Sequence, residues 1–364
     1  MPRRLLCCVV NHLMADHVEP IVDLLRGDDK IDIYLTAPGG ARVRGATGHQ
    51  LAQRLGVTHC GYFWSRFRWW DMIIFPEHRG PTEFHPKIDK VFIDHGLDSG
   101  KLFDGVASRY GHKRVLRQDN TPTFTRIFET STITRDKAIA KYPALEDRIA
   151  IVGDLGADSM LQMATRRDEL RREHGIAANE VVVLMLSTWG PQSLMEKFGE
   201  QIVAEASSLT DRYRFMFSTH PYHWQGDYAK AHPWGEYLAR HESDRMMVIR
   251  PGDSWERFAV MTDMAISDHT SMGVKYALLV QPLIYLNQNT AEIVDPDSFG
   301  GHLRSVLPIL DGPAQLEDVL RQAMTNYPLN RHKSLALQIN ACPGKAATRI
   351  KQEIYSILGL SMSI

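Results

Sequence analysis

Cysteine is scarce in this 364-residue chain, with four in all: Cys7, Cys8, Cys60 and Cys342. They form neither a CxxC pair nor a Cys/His zinc spacing, which argues against a zinc ribbon. Cys7 and Cys8 sit in an apolar run, where a free thiol behaves as a small hydrophobe. All four read as reduced thiols of a cytoplasmic protein. An excess of charge of either sign is also missing. Lys and Arg number 42 and Asp and Glu 43, for a net charge of −1. A duplex nucleic-acid binder carries a basic excess, so no nucleic-acid partner is expected. No apolar run approaches the ~18 residues of a membrane span. The run that opens at Leu5 is cut short at His12, too early for a signal peptide, and reads as a first buried strand. The P-loop pattern G-x-x-x-x-G-K-[ST], the G-x-G-x-x-G fingerprint, the G-x-S-x-G elbow and HExxH are all absent. ATPase, dehydrogenase and serine-hydrolase readings thereby lose most of their support, and no metal site is expected.

What is present is ordinary globular composition, 44% hydrophobic and 23% charged, over a length that suggests about two domains. Short apolar runs alternate with helical segments. Leu5–Val10, Ile31–Leu35, Met72–Phe75 and Lys90–Ile93 are strand candidates in the first half. A second series follows: Arg148–Val152, Val181–Leu186, Tyr213–Ser218, Met246–Ile249, Met264–Ser267 and Pro282–Leu286. The segment Met160–His174 is helical, with balanced charges, and reads as a solvated face. Such alternation predicts an α/β protein of two doubly wound parallel sheets. The expected division is 1–155, 156–330, and a C-terminal helical segment 331–364 that packs back across the lobes.

Open α/β sheets bind ligands at the carboxyl ends of their strands, so the residues just after each strand are the candidates for chemistry. Asp94-His95-Gly96 follows one strand; His95 reads either as a general base or as a turn histidine, and Gly96 permits close backbone approach. Thr219-His220-Pro221 follows another, with Pro221 biasing His220 toward extended backbone. Asp268-His269-Thr270-Ser271 opens a helix, where Thr270 and Ser271 serve as caps or as donors to a phosphate. Ser187-Thr188-Trp189-Gly190 ends a further strand and suits phosphate or ribose contacts, or a plain turn.

Taken in order, these segments resemble the CDP-glycerol glycerophosphotransferase family, which builds teichoic acids and capsule polymers. Ile266-Ser267-Asp268-His269-Thr270-Ser271 through Gln281-Pro282-Leu283-Ile284-Tyr285 is similar to the family's "I-S-D-Y-S-S … K-P-[IM]-I-F" block. His95-Gly96 matches its "W-H-G", His220-Pro221 its "H-P", and Leu186-Ser187-Thr188-Trp189 its "A-P-T-W". Asp311-Gly312-Pro313 with Leu316–Leu320 resembles its late helix. The resemblance spans roughly residues 90 to 325.

The resemblance implies a GT-B fold with a cleft between two Rossmann-type domains. It also implies His95 as catalytic base, His220 at the donor phosphates or leaving group, and Asp268 orienting the donor. Ser187, Thr188, Thr270, Ser271 and Gly96 would line the diphosphate site. The donor would be nucleotide-activated, CDP-glycerol or similar, with no resident cofactor. The acceptor would be a saccharide, polyol phosphate or lipid-linked hydroxyl. Histidine and helix N–H groups can neutralise the leaving diphosphate without a metal. Asp94, Gly190 and Leu155-Gly156 stand where the family has Trp, Arg and Pro-Arg, so the donor or acceptor differs from the family's. A UDP-sugar glycosyltransferase, a sugar-nucleotide 2-epimerase and an inactive nucleotide-binding protein are the alternatives.

The stretch from Tyr62 to Trp70 interleaves aromatics with Arg66 and Arg68. This is the composition of an anchor at the inner face of the membrane or of a polymer-stacking loop. The preferred reading is a loop whose aromatics pack on the N-terminal core.

Overall fold

Among the described residues the strands are, in chain order, β1 (Arg3–Cys8), β2 (Ile31–Thr36), β3 (Arg42–Val43), β4 (Ala46–Thr47), β5 (Thr58–His59), β6 (Met72–Phe75), β7 (Asp89–Ile93), β8 (Leu102–Phe103), β9 (Val106–Ala107), β10 (Arg126–Glu129), β11 (Ile149–Ile151), β12 (Val181–Ser187), β13 (Tyr213–Thr219), β14 (Met246–Ile249), β15 (Met264–Ser267), β16 (Leu283–Leu286) and β17 (Ile309–Leu310). These and the intervening helices belong to a computed structural model that describes residues 1–9, 12–37, 42–43, 46–76, 80–93, 97–98, 100–103, 106–107, 115–288 and 290–362.

The central strands are largely apolar, with β6, β13, β15 and β16 buried along their whole length and β12 buried from Val182 on. Continuous apolar runs of this kind suit a parallel sheet covered on both faces. That is the arrangement found. One sheet has the order β11-β10-β7-β6-β1-β2-β5 and the other β14-β13-β12-β15-β16-β17, with parallel pairing throughout both. In each, the first strand of the series lies centrally and the chain winds outward first one way and then the other. The direction reverses between β1 and β6 in one sheet and between β12 and β15 in the other.

The chain divides into two compact units: Met1–His95 with Tyr110–Asp158 and Asn340–Ile364, and Gly96–Arg109 with Ser159–Ile339. These limits differ from a division at 155/156 with 331–364 as one piece. Two crossings redraw those limits. The segment Gly96–Arg109 goes to the second unit, where Lys101 bridges to Val294 and the Asp98 carbonyl accepts the Gly300 N–H at 3.3 Å. The C-terminal segment splits at Ile339.

Its last helix, Ala346–Leu358, belongs to the first unit because Ile350, Ile354, Tyr355 and Leu358 form one apolar stripe at three- and four-residue spacing. They join the core of Leu5, Val18, Ile21 and Met72, each fully buried aliphatic side chain contributing about 1.5–3 kcal/mol. Asp158 caps the approach to this helix, its carboxylate accepting the N–H groups of Gly344 at 2.7 Å and Ala346 at 2.9 Å.

Two local expectations are corrected. Met160–His174 is not one solvated helix: it is two, Leu155–Ala164 and Arg167–Glu173. In the second, Arg171 is buried, because its guanidinium finds four oxygen acceptors. Nor do the aromatics of 62–70 all pack inward. Trp70 is buried, but Phe63, Trp64, Phe67 and Trp69 are exposed, since Ser65 and Trp70 already fill the inward positions of that short turn. All four cysteines are buried, and burial pushes the Cys7 thiol up to about 12. No helix among the described residues is long and apolar enough to cross a membrane.

Candidate functional site

Parallel pairing in register fixes which strand ends become neighbours. Ser187 of β12 lies opposite Thr219 of β13, and Leu186 of β12 opposite Ser267 of β15. The loops opening at Ser187, Thr219 and Asp268 therefore leave one edge of one sheet. The edge between β12 and β15 is the reversal point of the winding, where the loops on either side diverge and leave a crevice.

Asp268 stitches these loops together. One carboxylate oxygen accepts the N–H groups of Thr188 at 2.8 Å and Leu194 at 2.9 Å; the other accepts that of Thr270 at 2.9 Å. The side chain is fully buried. Burial pushes its carboxyl up to about 6, while the three N–H donors and Arg304 pull it back down. Both oxygens are thus occupied by backbone. What the carboxylate does in this structure is fasten the loops after β12 and β15.

Ser187 is similarly engaged: its hydroxyl donates to the Thr188 carbonyl at 3.1 Å and accepts the Met195 N–H at 3.2 Å. Thr188 is buried, with its N–H on Asp268. Thr270 caps the helix Ser271–Tyr276 by accepting the Met272 N–H at 3.4 Å. Ser271, the first residue of that helix, is exposed. Gly273 lets the helix sit on the strand end, because a Cβ there would stand 3.0 Å from Ser267 Cβ and closer still to its hydroxyl.

His220 follows β13. Its N–H donates to the Ser187 carbonyl at 2.9 Å, and its Nδ1 accepts the Tyr222 N–H at 3.2 Å. An accepting Nδ1 leaves the proton on Nε2. Of the sequence-predicted residues, then, Ser187, Thr188, His220, Asp268, Thr270 and Ser271 come to one sheet edge. His95 and Gly96 lie outside the described residues.

Sequence reasoning missed the groups between these loops. Lys101, carried in by the segment that crosses to this unit, places its Nζ 5.1 Å from the centre of the Trp189 ring. Burial lowers its pKa and the Asp268 charge opposes that. Trp189 itself stands among Tyr222 at 5.4 Å, Tyr228 at 6.0 Å and His220 at 6.2 Å between ring centres. Gln288, just past β16, donates its amide N–H to the carbonyl of Gln192 and to His269 Nδ1, the latter at 2.9 Å. The Gln192 carbonyl fixes which end of that amide is the donor, so His269 Nδ1 is an acceptor. Burial, with Lys101 and Arg304 nearby, holds His269 down to about 3, a neutral ring at physiological pH.

Arg304 is buried, 4.2 Å over the Tyr285 ring, and donates to the Leu286 carbonyl at 3.2 Å. Only Gln288 had a findable signal, its position after a strand. Lys101 and Arg304 are placed by packing distant in sequence.

Behind His220 sits a second layer. Glu196 accepts the Tyr228 hydroxyl at 3.0 Å and pairs with His232 Nδ1 at 2.9 Å; His223 Nε2 approaches the same carboxylate at 3.4 Å. Tyr228 in turn accepts the Gly190 N–H at 3.0 Å. His223 is fully buried, and burial outweighs the Glu196 charge to hold it down to about 4. This layer fixes the Trp189–Gly190 loop from beneath.

No protein-family model and no curated protein matches the chain. Solved structures do. The wall teichoic acid polymerase TagF is similar at a TM-score of 0.65 and 14% identity, covering 99% of this chain and 90% of that one. An S. aureus MnaA–UDP structure is similar at a TM-score of 0.66 and 11% identity, covering 99% and 98%. UDP-GlcNAc 2-epimerase from Neisseria meningitidis, bound to UDP-GlcNAc, is similar at 0.60 and 12%, covering 98% and 100%. The fold is GT-B: two α/β units, each a Rossmann-like doubly wound parallel sheet.

Proposed function

We propose that the chain is a transferase that takes a nucleotide-activated donor at the β12/β15 edge and moves a glycerophosphate, polyol-phosphate or sugar group to a hydroxyl acceptor in cell-surface polymer synthesis. The observation that carries this reading is the Asp268 stitch. It holds the Trp189 loop and the Thr270–Ser271 turn side by side at the reversal point, with Lys101 between them. A cation and the exposed Ser271 suit a diphosphate, and the Trp189–Tyr222 aromatic wall suits a planar base. His220, with its proton on Nε2, donates that N–H as a hydrogen bond to the leaving phosphate and stabilises its developing charge. His95 is the acceptor base in this proposal, and no resident cofactor is invoked. The likeness in fold to the wall teichoic acid polymerase TagF favours a polymer-building transferase.

A second reading, a UDP-sugar 2-epimerase, is supported by end-to-end alignment with UDP-N-acetylglucosamine 2-epimerase, 100% of each chain. The two separate experimentally. Thermal shifts are measured with CMP, CDP, CDP-glycerol, UDP and UDP-GlcNAc; a ligand bound by the folded state alone raises the midpoint. Stabilisation by cytidine nucleotides, lost in Ser271→Ala and Lys101→Met, supports the transferase. Stabilisation by UDP-GlcNAc with turnover in the absence of acceptor supports the epimerase. Silence toward every nucleotide overturns both.

A further inference from the structure

Six aromatic side chains fall between Tyr62 and Trp70, and the fold uses two of them. Trp70 is buried and donates its indole N–H to the Ser65 carbonyl at 2.8 Å. Tyr62 is half-buried and meets Phe84 edge-on at 6.3 Å. The remaining four point away from the core: Phe63 is 55% exposed, Trp64 66%, Phe67 72% and Trp69 51%. Single exposed apolar residues are ordinary, but a cluster of large ones marks an interaction surface. These are a cluster. The Phe63 ring lies 5.3 Å from Trp64 and 5.2 Å from Phe67.

The turn that carries them is fixed before any partner arrives. Ser65 donates its N–H to the Gly61 carbonyl at 2.9 Å and its hydroxyl to the Tyr62 carbonyl at 2.7 Å. Phe67 closes the next turn onto the Trp64 carbonyl at 3.2 Å.

The charges around the cluster decide what it fits. No residue from Gly61 to Trp70 is acidic. Among the described residues, Glu83 pairs with Arg66 at 2.8 Å and Asp71 with Arg3 at 3.1 Å. Arg68 is exposed among the aromatics. Lys87 is exposed two residues after His85, whose ring packs on Trp69 at 5.7 Å. The surface is therefore apolar, aromatic and positive.

We propose that this patch seats the first unit on an anionic lipid surface. Phe63, Trp64, Phe67 and Trp69 enter the boundary between headgroups and acyl chains, where amphipathic aromatic rings are most stable. Arg68 and Lys87 keep their charges at the phosphate level while their stems stay apolar. Attraction to an anionic leaflet adds to apolar burial, so neither term needs to be large alone. This inference is independent of which donor the second unit takes.

The test is flotation of the full chain with vesicles of phosphatidylcholine alone and of phosphatidylcholine with one-quarter phosphatidylglycerol. The chain is expected to float with the anionic vesicles and far less with the neutral ones. Trp64→Ser with Phe67→Ser is expected to weaken binding by more than about tenfold, with an unchanged unfolding midpoint because both side chains are exposed. Arg68→Gln with Lys87→Gln is expected to abolish the preference for anionic lipid. No flotation, or equal flotation of the serine variant, overturns the proposal. So does a concentration-dependent dimer that the serine substitutions dissolve in a chain that never floats, which makes the patch a protein interface.

Discussion

The Asp268 carboxylate accepts the backbone N–H of Leu194 at 2.9 Å, across 74 residues of sequence. The same oxygen takes the N–H of Thr188. Two loops that leave different strands are thereby held by one side chain. Asp268→Asn keeps the shape but supplies only one accepting oxygen. Whichever way the amide turns, its NH2 faces a backbone N–H, leaving a buried donor unpaired. The expected cost is about 1–3 kcal/mol, read as a lower midpoint in urea with an unchanged slope. Loss of nucleotide binding in this variant would follow from loosened loops, so Ser271 and Lys101 are the cleaner probes of the donor site. An Asn variant as stable as the parent would show that the carboxylate does not fasten the loops.

Lys101 stands over Trp189 and within electrostatic reach of Asp268 and His269. Lys101→Met keeps the stem against the ring and removes the charge. Nucleoside diphosphate affinity is expected to fall by about tenfold, matching one lost charge-assisted contact of ~1.5 kcal/mol. Nucleoside affinity should stay the same. Isothermal titration with both ligands separates the two, and an equal loss for both would place Lys101 away from the phosphates.

Much of this edge was legible in the sequence. The short apolar runs became strands, and because parallel sheets present all their carboxyl ends on one side, the polar residues after Leu186, Ser218 and Ser267 had to converge. Pro233 lies between the helices Gly226–Ala231 and Trp234–Arg240, where a residue without an N–H cannot continue the first of them. What was not legible depends on contacts far apart in the chain. Nothing near Lys101 announces that its segment joins the second unit, and nothing in Ala346–Leu358 says which core its stripe of Ile350, Ile354 and Leu358 meets. Hydrophobic period reports that a face is buried, not against what. The exposed Phe63 and Trp64 were misread for the same reason: aromatic content alone does not give direction.

Burial holds His223 at about 4 and His269 at about 3, against an ordinary 6.5. The unfolded chain protonates both rings as the pH falls below 6.5, while the folded chain keeps them neutral. Protons therefore favour the unfolded state in this window, and the stability that these rings contribute is complete above pH 6.5 and is lost progressively toward pH 4. His269→Gln retains an acceptor for the Gln288 amide and cannot titrate. Its urea midpoint is expected to fall less between about pH 7 and pH 4.5 than that of the parent. Parallel declines for the two proteins would show that His269 is already charged in the folded state.

Gly273 tests how closely the helix Ser271–Tyr276 must sit on its strand. Alanine there drives a Cβ into Ser267, itself fully buried at the end of β15. The helix has to lift, at a cost of about 1–3 kcal/mol. Its first turn then moves away from the Thr188 loop, so nucleotide stabilisation should fall along with the midpoint. Gly273→Ala combined with Ser267→Gly removes the obstructing side chain and should restore both. Failure of the double variant to recover either would mean that Gly273 is required for its backbone freedom rather than for the approach.

Arg171 shows how a residue that looks solvent-facing by charge pattern becomes structural. Its guanidinium donates to the Met261 carbonyl at 2.9 Å, to Asp263 at 3.0 Å, and to the carbonyls of Ala177 at 3.1 Å and Glu180 at 2.5 Å. Asp263 also accepts the Val182 N–H at 2.8 Å. One planar fork thus joins the helix Arg167–Glu173 to the starts of β12 and β15, the two strands whose far ends carry the candidate site. Arg171→Met fills the volume but leaves three carbonyls and part of a carboxylate without a donor. The expected loss is about 3–5 kcal/mol, the cost of breaking a buried, hydrogen-bonded charge. Arg171→Lys should recover little, because an ammonium on a flexible stem cannot reach acceptors spread around a plane. Urea unfolding of the three proteins decides it: a lysine variant as stable as the parent would reduce Arg171 to a single charge paired with Asp263.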